Sequence, residues 1–233
     1  MTSLAFVTGR KFLLGTTGSI TAYATYKAKY DPPHLVWDLD NTLLCSVTPV
    51  PSSALAGYDY FDQIDDDFPF QGDLPNTRTY WRPGARTLLQ LFRLVAVQHV
   101  FTAAQATYTN NILQQIDRSL FHAVIHRDQI SQPKGKDLLH ILQACHQDYP
   151  QVGLHRCILW DDRTKNFQPQ QGENGVHVVP FEVEQRDGKW EDYIEMARWV
   201  GIVFLALMVP DVRTILPLFQ SKDHQKRFVE NKR

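Results

Sequence analysis

Apolar and polar positions follow two different periods along this chain. Short runs with little polar content recur at His34 to Trp37, Val97 to Phe101, Ala123 to Ile125, Cys157 to Trp160 and Val176 to Phe181. Runs this short, bounded by polar turns, predict strands buried on both faces. Helical spacing fills the gaps between them. Trp81-Arg82-Pro83-Gly84 reads as a turn into a helix over 85–95, with Ala85, Leu88, Leu89, Phe92 and Val95 in phase. Tyr108, Ile112, Leu113 and Ile116 form a second stripe, and Leu138, Leu142 and Cys145 a third, in a helix opened by Lys136-Asp137. The last predicted helix is amphipathic, with Trp190, Tyr193, Ile194, Ala197 and Val200 as its apolar face. Strands alternating with helices predict an α/β fold: a doubly wound, Rossmann-like parallel sheet with helices on both faces. The polar stretch from Cys45 to Tyr80 leaves room for a small β insertion after the first strand. Its acidic cluster of Asp62, Asp65, Asp66 and Asp67 reads as a solvated loop.

Composition narrows the class. The chain has 233 residues, 43% hydrophobic and 21% charged, with a formal net charge of −1. That is ordinary globular composition, and nothing in it argues for direct nucleic-acid binding or for an acidic lipid partner. Three cysteines without a CxxC pair fit a reducing compartment and support neither a zinc site nor a disulfide framework. The longest apolar run, Val200 to Val209, is too short to span a bilayer and predicts buried core.

The first thirty residues stand apart. They contain no Asp or Glu, carry Arg10, Lys11, Lys27 and Lys29, and are rich in Ser and Thr. Such an N-terminus is expected to be a transit peptide or a membrane anchor, or alternatively a plain extension. The corresponding locations are mitochondrial or membrane-anchored, with nucleus or cytoplasm as the alternative. Asp31-Pro32-Pro33 breaks the chain before the first strand, so the expected organisation is an extension over 1–30, one domain over 31–220 and a basic tail over 221–233.

The chemistry concentrates after the first strand, at Asp38-Leu39-Asp40-Asn41-Thr42. Two carboxylates at the end of a buried strand repel each other unless a cation lies between them. In an open α/β sheet that strand end borders the ligand crevice. Thr102, Asp161 and Asp162 also follow predicted strands, and Lys136 falls at a predicted helix start, so the topology can bring all of them to one edge. At an effective dielectric near 20, each like-charge pair at ~4 Å costs about 4 kcal/mol. Four carboxylates in one crevice therefore require positive groups.

In this order the motifs resemble the haloacid-dehalogenase superfamily, and within it the FCP/SCP-like (NLI-interacting-factor-like) phosphatases. The resemblance rests on Asp38-Leu39-Asp40-Asn41-Thr42-Leu43, where the family usually has Glu at the position of Asn41. It rests also on Arg82-Pro83-Gly84, Phe101-Thr102-Ala103, Lys136-Asp137-Leu138 and Ile158-Leu159-Trp160-Asp161-Asp162, where the family often continues Ser-Pro and this chain has Arg163-Thr164.

It implies a protein serine/threonine phosphatase that uses Mg²⁺ and an aspartyl-phosphate. Asp38 is the implied nucleophile and Asp40 the acid/base. Thr102 and Lys136 stabilise charge, with Lys134 as a competitor for the lysine. Asp161 is the implied third metal ligand and Asp162 a ligand through water or an orienting group; Asp38 and Asp40 complete the metal site. Thr42 and Arg127 are the implied substrate-binding residues. The spacing leaves no room for a large lid, so a phosphoprotein is the expected partner rather than a small metabolite, although a small-molecule phosphatase stays open. The family also includes the receptor-like subunit of the mitochondrial inner-membrane translocase, which makes a presequence-binding module the alternative reading.

Overall fold

The computed structural model describes residues 20–63, 76–130, 135–183 and 190–220. The expectations for residues 1–19, for Asp65, Asp66 and Asp67, for Lys134 and for the tail at 221–233 lie outside them. Helix α1 covers residues 20–30. The centre of the fold is a five-stranded sheet of β1 (His34–Trp37), β5 (Val97–Phe101), β6 (Ala123–Ile125), β7 (Cys157–Asp161) and β8 (Gly175–His177), in the order β6-β5-β1-β7-β8. Every pairing in it is parallel. A separate antiparallel sheet, β2 (Leu44–Val47), β3 (Tyr60–Gln63) and β4 (Thr77–Trp81), forms the insertion after β1. Both features match the expected α/β architecture.

Helices cover both faces of the parallel sheet because successive side chains of a strand point to opposite sides. Leu35 and Trp37 join Val100, Ile158 and Trp160 in a core covered by α2 (Ala85–Phe92), α3 (Ala106–Ile116) and α5 (Trp190–Met208). Val36, Phe101, Ile125 and Leu159 face the other way, onto α4 (Leu139–Cys145). Trp37 is the centrepiece of the larger core, with its ring 4.5 Å from that of Trp160 and 5.3 Å from that of Trp199.

Four expectations need correction. Helix α2 ends at Phe92 rather than running to 95. The helix expected from Lys136 begins at Leu139, and Lys136 instead forms an isolated parallel bridge with Phe167. The fifth strand stops at His177, because Pro180 has no N–H to continue a ladder. Val178 and Phe181 are buried all the same, their N–H groups donating to the carbonyls of Asp161 and Asn41.

The fourth correction is the largest. On α5 the core takes Met196, Trp199, Ile202, Val203, Ala206 and Leu207, while Trp190, Tyr193, Ile194, Ala197 and Val200 face outward. The inner face also carries Asp192 and Glu195, both buried. Asp192 lies 3.2 Å from the Nε of buried Arg82, and Glu195 accepts from Trp199 Nε1 and Arg198. Paired carboxylates can be buried where isolated ones cannot.

Beneath the sheet, on the α4 side, two buried histidines meet. His34 Nδ1 and His99 Nε2 are 3.0 Å apart, with the rings inclined by only 9° and their centroids 5.2 Å apart. That spacing places the rings edge to edge, so the contact is an N–H···N hydrogen bond. Cys145 Sγ lies 3.8 Å from both ring nitrogens of His99, which puts the thiol over the ring rather than on a lone pair. The three could be grouped as metal ligands, but the hydrogen bond consumes the lone pair a metal would need.

Burial, followed by the nearby His122 and Arg156, pushes His34 down to about 4, against a small opposing pull from Asp31. Burial and the neighbouring His34 and His122 lower His99 in the same direction. The unfolded chain takes up protons on these rings as pH falls below about 6.5, and the folded chain refuses them. Their contribution to stability is therefore full above that pH and declines towards pH 4, by about 3 kcal/mol from His34 alone. Urea unfolding of wild type and His34→Gln at pH 7.5 and pH 4.5 isolates this share: the variant should lose less stability, or gain more, than wild type between the two pH values.

Candidate active site

The sheet places the motif residues on three adjacent strands. Trp37 is in register with Val100 of β5 and Trp160 of β7. Asp38, Thr102 and Asp161 thus emerge side by side at the carboxyl edge, where strand order reverses around β1. The Asp38 N–H donates to the Trp160 carbonyl, and the Thr102 N–H to the Ile125 carbonyl. The loop after Asp38 turns sharply at Asn41, whose φ of 55° is left-handed. Asn tolerates that region better than most residues.

Lys136 is the hub. Its Nζ lies 2.7 Å from Asp38 Oδ1 and 2.6 Å from Asp161 Oδ2, with all three side chains buried. Gly135 sets it there. With φ at +83°, Gly135 passes so close to Asn166 that a Cβ would meet its carbonyl oxygen at 3.0 Å. The Lys136 N–H donates to the same carbonyl at 2.6 Å. Burial opposes the lysine's charge, but Asp38 and Asp161 outweigh it and hold Lys136 above its ordinary value. Asp38 shows the mirror problem. Burial pushes its carboxyl up to about 8; Lys136 opposes the rise, and Asp161 and Asp40 add to it. A carboxylate so placed needs positive charge beside it to stay ionised at neutral pH.

The two carboxylates after β7 differ in surroundings. Asp161 is saturated: Oδ1 accepts from the Arg163 N–H at 2.8 Å and from Asn166 Nδ2 at 2.9 Å, and Oδ2 faces Lys136. Asp162 is 8% exposed, and its Oδ1 has no hydrogen-bond partner. Burial first, then the neighbouring Asp161, pushes it up to about 6. One carboxylate oxygen each from Asp38, Asp161 and Asp162 lies within 4.8 Å of the others. An orphaned buried carboxylate oxygen among hard oxygen donors fits a divalent cation such as Mg²⁺. Of these two carboxylates, Asp162 has the open oxygen and is the better placed to ligate a cation.

Asp38 and Asp40 open on a cleft of about 350 Å³ that Thr102, Tyr108, Arg127 and Arg163 also line. Arg127 is tied to the Thr102 loop, donating from Nε to the Ala103 carbonyl at 2.6 Å. Thr102 Oγ1 accepts from the Ala104 N–H at 3.1 Å. Thr42 does not line the cleft; it is fully buried, with its hydroxyl unpartnered. The sequence reading missed Tyr108, which it placed in an apolar stripe. Its hydroxyl donates to Asp40 Oδ1 at 2.5 Å and lies 2.7 Å from Ser46 Oγ. It missed Asn166 as well, which fixes Asp161. Neither carries a sequence signal, since each acts through contacts that span separate elements.

The fold and this site define a haloacid-dehalogenase-type protein. A family model of NLI interacting factor-like phosphatases matches residues 33–213, and the chain belongs to that family. Among solved structures it is similar to a fission yeast RNA polymerase II CTD phosphatase, Fcp1, bound to beryllium fluoride. That likeness has 16% identity over 91% of this chain and 65% of the other, with a TM-score of 0.49. A second structure of Fcp1, described as an essential RNA polymerase II CTD phosphatase, gives 18% identity over 94% and 64%, with a TM-score of 0.48. The chain thus spans slightly less than two thirds of either. No curated protein matches it.

Proposed function

We propose that this protein is a Mg²⁺-dependent protein serine/threonine phosphatase working through an aspartyl-phosphate on Asp38. The observation that carries the reading is Lys136, buried and ion-paired with both Asp38 and Asp161 at the floor of the cleft. A buried lysine between two buried carboxylates is costly to assemble, and it supplies the charge a phosphoryl group would meet. Asp38 attacks phosphorus and displaces the serine or threonine oxygen, to which Asp40 gives its proton. Asp40 then takes a proton from water, which attacks the aspartyl-phosphate, frees phosphate and restores Asp38. Thr102 and Arg127 contact the phosphoryl oxygens, and Lys136 balances the charge they share with Asp38. A Mg²⁺ held by Asp38, Asp162 and the Asp40 carbonyl supplies electrostatic stabilisation of the phosphoryl oxygens when bound.

Among the described residues no folded lid domain is inserted between Thr102 and Lys136. Between Thr102 and Lys136 they form only α3, a short strand and single helical turns. An open cleft admits a peptide segment, which favours a phosphoprotein over a small metabolite. A panel of phosphopeptides, sugar phosphates and nucleotides tests this. Phosphopeptide turnover should dominate, EDTA should abolish it and added Mg²⁺ should restore it. Faster turnover of sugar phosphates or nucleotides would sink the protein-phosphatase reading. No described helix is long and apolar enough to cross a membrane. The mitochondrial or membrane location rests on the composition of residues 1–30 alone.

Tyr108 is expected to act on the proton shuttle. A hydrogen bond to a charged carboxylate contributes about 1.5–3 kcal/mol. Tyr108→Phe removes that bond but leaves the ring, so kcat should fall about 10-fold or more while KM changes little. Steady-state kinetics on one phosphopeptide separate the two parameters.

A further inference from the structure

Helix α5 is apolar on both sides. Its outward face carries Trp190 (74% exposed), Tyr193, Ile194, Ala197, Val200 and Phe204 (51% exposed), and no charged residue lies among them. Gly201 sits at the middle of this face. A Cβ there would meet nothing within 4 Å, so the fold of one chain does not require glycine. A mid-helix glycine costs roughly 0.5–1 kcal/mol relative to alanine. An unforced glycine one turn from Ala197, inside an exposed apolar face, suits the close approach of a second helix.

The pattern also says which helix. Apart from the flanking pair Arg198 and Val200, residue sizes on this face mirror one another about Trp199. Small residues stand two positions to either side (Ala197 and Gly201), and large apolar ones follow in pairs: Ile194 with Phe204, Tyr193 with Leu205, Trp190 with Met208. Two copies of α5 run antiparallel about that level would set each small residue against its small counterpart and each large one against a large one. Such self-complementarity is what a two-fold interface demands.

We propose that the outward face of α5 is the seat of a second copy of this chain, the two helices packing antiparallel about a two-fold axis level with Trp199. The helix is about 28 Å long and about 10 Å wide. Its footprint, on the order of 300 Å², is below the roughly 800 Å² per partner of a standard interface. The dimer is therefore weak and concentration-dependent.

Sedimentation velocity of the full chain over a wide concentration range tests this. A monomer–dimer equilibrium is expected, and Phe204→Asp should raise its dissociation constant about 30-fold or more by placing charge in an apolar contact. Phe204 is half exposed, so circular dichroism and the thermal melt of the variant should match wild type. Cross-linking tests the register, because the native Cys45, Cys145 and Cys157 are all buried. A mixture of Ala197→Cys and Gly201→Cys chains should form disulfide-linked dimers faster than either variant alone. Faster linking of either variant with itself overturns the antiparallel arrangement. A chain that stays monomeric throughout, or a Phe204→Asp variant that dimerises like wild type, overturns the proposal. So does a monomer that floats with phosphatidylcholine–phosphatidylserine vesicles and loses that binding in Phe204→Asp, a result that assigns the face to a lipid surface.

Discussion

Asp38→Asn should abolish phosphatase turnover, lowering kcat on a phosphopeptide by about 10⁴-fold or more while the protein stays folded. The size follows from the role: removing a nucleophile takes away the covalent route itself, and losses of this order or larger accompany such changes. The amide keeps the shape of the carboxylate and can still accept from the Leu39 N–H, which donates to Asp38 Oδ1 at 2.9 Å. It cannot attack phosphorus at a useful rate. Stability should move little, and for a specific reason. Burial disfavours the charge on Asp38 strongly enough to push its carboxyl up to about 8, so neutralising it relieves a desolvation cost. Lys136 loses one of its two carboxylates but keeps Asp161. Equal rates for wild type and variant on the same phosphopeptide with Mg²⁺ would overturn the enzyme reading. A variant that is inactive because it is unfolded would show in its urea midpoint.

The strands were legible because burial on both faces leaves little choice of residue. Leu35, Val36 and Trp37 are all fully buried, and so are Ile158 and Trp160. The order of motifs then gave Asp38, Thr102, Lys136 and Asp161 a common edge, and the parallel register delivers them there. What stayed hidden depends on contacts between distant elements. The orienting roles of Asn166 and Tyr108 exist only once β7 and α3 have packed. The division of labour between Asp161 and Asp162 is set by Lys136 and Asn166, which saturate one carboxylate and leave the other with an open oxygen.

Helix α5 misled for a different reason. A helix with apolar residues on both its inner and outer sides gives no periodic cue to which one is buried. The polar residues that would ordinarily mark solvent, Asp192 and Glu195, are turned inward by Arg82, Arg198 and Trp199. The pair of histidines is similar. Nothing in the neighbourhood of His34 or His99 along the chain announces that the two rings meet across neighbouring strands.

Asp192→Ala should be among the most destabilising single substitutions in the protein, costing about 3–5 kcal/mol. Arg82 and Asp192 have fully buried side chains and lie 3.2 Å apart. The guanidinium also lies 5.4 Å from the Phe181 ring and 5.6 Å from that of Trp199, and its Nη2 donates to the Val179 carbonyl. Its backbone N–H donates to the Leu43 carbonyl at 3.0 Å, in the loop that carries Asp40 and Thr42. The pair thus ties α5 to the turn before α2 and to the loop that carries Asp40. Removing Asp192 leaves a buried cation short of its counter-charge, and the penalty is the desolvation of that cation, not the modest net value of the pair.

The same reasoning predicts a rescue on going further. Arg82→Met with Asp192→Leu removes both charges and refills most of the volume with apolar atoms, so the double variant should be markedly more stable than Asp192→Ala alone. Urea unfolding of Arg82→Met, Asp192→Leu and the double variant measures the coupling directly. A double variant no more stable than Asp192→Ala would mean that the packing and hydrogen bonds of Arg82, not the balance of buried charge, hold α5 against the sheet.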